Sequence, residues 1–129
     1  MSKIIVAGAG HGGLTAAYNL AKAGHSVAVY EKNTPETVGH AWHDGMWLGS
    51  FDRVHMPRPT EMEFRPNKDM VFYNPKKTKT LTLNFEPSAN TVFVDRHELV
   101  LYLVSQCRSV GVEFYFGSEV LSADRKSVV

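Results

Sequence analysis

The sequence predicts an α/β fold organised around a parallel sheet, and three observations carry that prediction. Lys3-Ile4-Ile5-Val6-Ala7 is an apolar run of strand length, and Gly8-Ala9-Gly10-His11-Gly12-Gly13 follows it directly. A helical stretch over Leu14–Ala23 and a second apolar run, Val27-Ala28-Val29-Tyr30, come next. Strand, glycine turn, helix and strand in that order make a βαβ unit, which joins two parallel strands.

The elements can be justified in turn. Continuous apolar character suits a first strand buried in a parallel sheet. In the helix, Leu14, Ala17, Tyr18 and Ala21 share one side, with alanines where the helix must lie close to the sheet. Gly24 supplies a left-handed C-terminal cap. Residues 32–69 contain Pro35, Pro57, Pro59 and Pro66 and little periodicity, so this long segment is expected to carry function, short helices or both. Met70–Tyr73 and Thr80–Phe85 read as strands joined through Asn74-Pro75-Lys76-Lys77. Lys76, Lys77 and Lys79 read as a solvated hairpin tip whose charge discourages edge pairing. Thr91–Val94 is a further short strand. Asp95 can cap the next helix, with Glu98 reaching back as in a capping box. Leu99, Leu103, Cys107 and Val110 recur at helical spacing, which makes Cys107 a small core hydrophobe. Gly111 ends that helix, and Val112, Phe114 and Phe116 alternate with Glu113 and Tyr115 as a third core strand. From residue 118 a hairpin is expected, with Ala123-Asp124-Arg125-Lys126 at its turn.

A chain of 129 residues supports one core, so residues 1–129 are expected to form a single domain with an irregular and β-containing insertion over about 33–94. The near balance of 14 Lys and Arg against 13 Asp and Glu gives no electrostatic footprint for nucleic acid. No apolar stretch reaches spanning length, and Met1-Ser2-Lys3 leads into the first strand rather than into a leader. With Cys107 alone no internal disulfide can form, and a reducing, cytoplasmic location is expected.

The glycine turn points to a dinucleotide. Gly8 permits the tight turn, Gly10 lets the backbone approach a pyrophosphate, and Gly13 lets the helix pack on the sheet. The free N–H groups and positive dipole end of the helix then face the phosphates. His11 and Gly12 occupy the variable part of the turn, with the His11 side chain expected to point outward. Glu31, eighteen residues past Gly13, is an acceptor-only carboxylate suited to a ribose diol and repellent to a 2′-phosphate. Lys32 adjoins it. The ligand class is therefore FAD or NAD(H) rather than NADP(H). The turn alone does not separate these two, since a G-A-G-x-G-G opening also occurs in nicotinamide enzymes such as opine dehydrogenases. A folded unit that binds nothing tightly is the remaining alternative.

Arg96 bears on the choice. It opens the second helix as Arg96-His97-Glu98-Leu99-Val100-Leu101-Tyr102-Leu103, a full R-x-x-L-x-x-x-L pattern. Here the chain resembles the FAD-dependent oxidoreductases of the aromatic hydroxylase and geranylgeranyl reductase type. The resemblance implies that Arg96 contacts FAD phosphate and that Val120, after the strand beginning at Val112, meets the adenine through its backbone. Physical chemistry agrees: an arginine beside a diphosphate forms paired charge-assisted hydrogen bonds, and a cation at a helix N-terminus is otherwise mildly unfavourable. The candidate cofactor-binding residues are thus Gly8, Gly10, His11, Gly12, Gly13, Glu31, Lys32, Arg96 and Val120.

Gly39-His40-Ala41-Trp42-His43-Asp44 is similar to a Gly-x-x-Trp-x-Asp segment of the reductase-like flavoproteins. With Met46 and Trp47 it could wall a flavin or substrate site, or simply pack on the fold. His40, His43 and Asp44 lack a second cluster at ligand spacing, so no metal is expected. The resemblance also implies a longer enzyme with a Gly-Asp motif and a substrate domain. The chain contains no Gly-Asp pair, so it is expected to be a truncated, amino-terminal portion that does not turn over a small-molecule substrate alone. Exposed strand edges would invite a homodimer.

Overall fold

Register places Ile4 beside Val27 and Val6 beside Val29, so the two apolar runs form a parallel pair. The computed structural model describes residues 2–60, 65–66, 69–84 and 91–123. Along the chain run β1 (Lys3–Ala7), α1 (His11–Lys22), β2 (Ser26–Glu31), β3 (His43–Trp47), α2 (Gly49–Arg53), β4 (Arg65–Pro66), β5 (Met70–Tyr73), β6 (Thr80–Leu83), β7 (Thr91–Asp95), α3 (Arg96–Ser109) and β8 (Glu113–Phe116). β8 joins β2 in parallel, giving the order β1-β2-β8, and α1 packs on β1, β2 and α3. Leu14, Val29, Val94, Leu99, Val100 and Cys107 are fully buried between these layers. Cys107 is a core residue, its thiol donating to the Leu14 carbonyl at 3.2 Å, and burial pushes its pKa up to about 11.

Several expectations needed correction. β1 is not buried on both faces: among the described residues it is a sheet edge, and Ile5 is 60% exposed because no described element covers that face. α1 begins at His11, three residues earlier than expected. The Leu14 amide bonds the Gly10 carbonyl at 2.9 Å, and this first turn outweighs the poor helix propensity of Gly12 and Gly13. Gly24 takes φ +89 past the Ala23 cap, as expected.

The segment after β2 contains β3, which the sequence reading missed, and the short α2 and β4. β3 and β4 flank β7 in an antiparallel sheet, and β7 runs straight into α3. β5 and β6 form the expected hairpin, apart from Phe85, which lies outside the described residues. Its turn is held by the Asn74 side chain, which accepts from Thr78 and Lys79 amides at 2.8 and 3.1 Å, and Lys76, Lys77 and Lys79 are exposed. Asp95 caps α3 by accepting from the Glu98 amide at 3.1 Å. The capping box is not reciprocal: Glu98 is exposed, and Asp95 is the last residue of β7, paired with His43. Gly111 ends α3 with φ +87. Of the hairpin expected from residue 118, the described part, residues 118–123, carries no regular element: the Gly117 and Ser118 amides donate to the Asn33 and Glu31 carbonyls and turn the chain across the end of β2. Asp124, Arg125 and Lys126 lie outside the described residues.

The third glycine of the turn is fixed by contact. A Cβ at Gly13 would stand 2.3 Å from the Gly8 carbonyl oxygen, whereas one at Gly12 would meet nothing within 4 Å. Gly13→Ala should therefore destabilise the chain by about 1–3 kcal/mol through overpacking. Gly12→Ala should be neutral or stabilising by about 0.5–1 kcal/mol through helix propensity. Urea unfolding of both variants checks this; equal effects would show that the turn does not press on the helix.

Candidate functional site

The site is assembled where three chain segments meet above the first turn of α1. Gly8 leaves β1 at φ +95, and its amide donates to the Tyr30 carbonyl at 2.7 Å. That bond holds the glycine turn against the end of β2. Glu31 then locks it: Oε2 accepts from the Ala9 amide at 2.7 Å, and Oε1 accepts from the Asn33 amide at 2.8 Å. Glu31 is only 6% exposed. The sequence reading gave this carboxylate to a ribose alone; it is also the clasp of the turn. Each carboxylate oxygen retains a further lone-pair direction, so both tasks are compatible.

The second wall is the first turn of α3. Gly39 takes φ +91 and lies so close that a Cβ would sit 2.9 Å from the Arg96 carbonyl oxygen. The Val38 carbonyl is 2.6 Å from the His97 Nδ1, and the Arg96 amide donates to the Trp42 carbonyl at 2.8 Å. Arg96 Nε donates to Asp44 Oδ2 at 2.7 Å. Asp44 thus explains the cation at the helix start: a carboxylate from β3 partners it, with the arginine side chain still 38% exposed. Gly39 and Asp44, the two ends of the Gly-x-x-Trp-x-Asp segment, both work against α3. Trp42 and Trp47 do not pack on the core; they are 64% and 48% exposed.

Between these walls lies a polar crevice of about 300 Å³, lined by Ala9, Gly10, His11, Glu31, Asn33, Val38, Gly39, His40, Arg96 and Val100. Glu31 and Arg96 therefore face one space. Across Glu31 a second recess of about 290 Å³ is lined by Gly8, Tyr30, Lys32, Asn33, Glu119 and Val120. Together the two recesses include every candidate except Gly12 and Gly13, which lie in α1 behind the turn. Asn33 and Val38 were missed; their contributions are a backbone amide and a backbone carbonyl, which carry no residue signature. An apolar cavity of about 630 Å³ adjoins the crevice at His11, which borders both, and is walled by Gly12, Thr15, Met46, Phe51, Leu99 and Leu103. His11 does not point outward as expected. Its Nε2 is buried without a partner among the described residues, and burial, followed by the charge of Arg96, lowers its pKa despite Asp44.

The residues present fit a dinucleotide. Cβ atoms at Gly10 and Gly12 would meet nothing within 4 Å, so the start of α1 is open to close approach. The helix-start amides, a guanidinium and a carboxylate are the donors and acceptor that a diphosphate and a ribose require. Fold and site together define a Rossmann-like dinucleotide-binding protein. The sequence profile of FAD dependent oxidoreductases matches residues 3–72, more than half of the chain. The chain belongs to this family, whose cofactor is FAD.

Among its relatives is a probable 2-heptyl-3-hydroxy-4(1H)-quinolone synthase of Rhodococcus erythropolis. It is 31% identical over an alignment of 125 residues that covers 92% of this chain and 32% of the relative. A geranylgeranyl bacteriochlorophyll reductase-like protein of Thermoplasma acidophilum superposes with a TM-score of 0.72 at 22% identity, over 98% of this chain and 32% of that one. FqzB superposes with a TM-score of 0.75 at 22% identity, over 95% and 30%. The flavoprotein CtdE, solved with FAD and a substrate, gives 0.72 at 20% identity, over 92% and 30%. The chain thus spans about a third of the length of the relatives it matches. Among the described residues no helix is long and apolar enough to cross a membrane.

The clasp can be tested apart from any ligand. Glu31→Gln turns an NH₂ group toward one of the two amides now bound by the carboxylate. The loss should be about 1–3 kcal/mol, the cost of leaving a buried donor unmade. Unfolding midpoints that match the parent chain would mean the carboxylate does not hold the turn.

Proposed function

We propose that residues 1–129 form a single FAD-binding unit of a flavin-dependent oxidoreductase. In this reading the diphosphate lies over the α1 N-terminus. The amides of Gly10, His11 and Gly12 face it, Gly8 and Gly13 shape the turn, and Arg96 supplies a full positive charge. Glu31 accepts from the adenosine ribose, with Lys32 and Val120 beside the adenine in the adjoining recess. The observation that carries this is the common crevice walled by Glu31 and Arg96 at the open helix start.

FAD, when bound, supplies the electron-transfer chemistry, and the chain supplies placement and charge. Arg96 would exchange or share its Asp44 partner when a diphosphate arrives, because both acceptors lie at the same helix start. The whole protein is proposed to act on a small organic molecule. The lone buried thiol suits a reducing, cytoplasmic setting. The exposed edge of β1 and the exposed β5–β6 hairpin support pairing with a second copy.

Titration of the purified chain with FAD, followed by flavin fluorescence, tests the assignment. The parent chain should bind saturably. Arg96→Ala should weaken binding about tenfold, by loss of charge-assisted hydrogen bonds. The gap should narrow as salt is raised, because the arginine is partly exposed. Glu31→Ala should also weaken binding. Parent-like affinity in both variants would remove FAD from this crevice.

A further inference from the structure

His11 is left unexplained by the backbone contacts just described. It is the first residue of α1, it borders both the polar crevice and the apolar cavity, and its Nε2 is buried and unpartnered among the described residues. Buried ring nitrogens are ordinarily paired, so this one calls for a partner that the described residues do not supply. The groups around it come from every neighbouring element. Arg96 stands at the start of α3, Asp44 on β3, Glu31 at the end of β2 and His40 on the following loop, with His55 on the apolar side. Arg96 and Asp44 are engaged with each other, and Glu31 accepts from Ala9 and Asn33.

We propose that the His11 imidazole is a direct hydrogen-bonding ligand of the dinucleotide's diphosphate, placed by the first turn of α1 where the polar crevice meets the apolar cavity. This rests on the assignment of FAD to the crevice and deepens it. Without a ligand, burial and then the neighbouring guanidinium hold the His11 pKa below the ordinary imidazole value, despite Asp44. A diphosphate reverses the electrostatic part of that balance: its charge offsets Arg96, and its oxygens accept from Nε2. The pKa of His11 is then higher in the bound than in the free chain, and FAD binding takes up a proton at pH values between the two. Affinity therefore rises as pH falls through the bound-state pKa and levels off below the free-state pKa.

The test is FAD binding to the whole chain from about pH 5.5 to about pH 8.5. Calorimetry in two buffers of different ionisation enthalpy counts the protons taken up. The diphosphate of FAD does not titrate in this range. The parent chain should bind about tenfold more tightly at the acid end than at the alkaline end, with net proton uptake. His11→Gln can donate but cannot titrate, so it should bind with a flat profile and no uptake. His11→Asn should give the same flat profile should the glutamine variant fail to fold. A flat parent profile overturns the proposal. So does a slope that survives both substitutions, which would assign the titration to His40 or Glu31. No FAD binding by the folded parent chain would instead overturn the cofactor assignment on which the proposal rests.

Discussion

The bond pair made by the Glu31 carboxylate is the constraint on which the rest of the site depends. One oxygen holds the glycine turn at Ala9 and the other holds the loop leaving β2 at Asn33. Burying a carboxylate is costly unless its acceptors are matched by donors, and two backbone amides supply that match. The turn, the strand end and the loop are thereby fixed relative to one another. Once they are fixed, the amides at the start of α1 point into a space of defined shape. The Gly8–Gly13 contact completes this from the other side, by letting the helix begin directly beneath the turn.

A turn and a helix start give only partial charges. The full charge comes from α3, whose first turn is placed by the segment after β2. Gly39 lets two backbones meet, Trp42 takes the Arg96 amide, and Asp44 orients the guanidinium. That segment therefore helps to wall the crevice. It reaches α3 by way of β3 and β7, which pair antiparallel immediately before Arg96. The guanidinium is consequently held by a carboxylate that an incoming anion can supplement, which keeps a cation stable at a helix N-terminus in the absence of ligand.

The parts of this arrangement that the sequence made legible share a property: each has a local chemical signature. The βαβ unit, the caps at Gly24 and Gly111, Asp95 and the exposed lysine hairpin are all set by neighbours in sequence. What escaped was set by distant partners. β3 reads as loop because Gly45 interrupts it and its residues alternate in exposure. It is a strand only because β7, nearly fifty residues on, offers the ladder. The exposure of Ile5 depends on which elements cover the sheet, and that is not written in β1 itself. His11 was misplaced for a similar reason, since its environment is made by Arg96 and Asp44 rather than by the turn that contains it.

The central claim is that a dinucleotide lies across the start of α1 between Glu31 and Arg96. Amide-resolved NMR of the isotopically labelled chain, recorded as FAD is added, tests it most directly. The account requires saturable shifts at Ala9, Gly10, His11, Gly12, Asn33 and Arg96. Shifts confined to α2 and the apolar cavity, with the glycine turn unmoved, would contradict it.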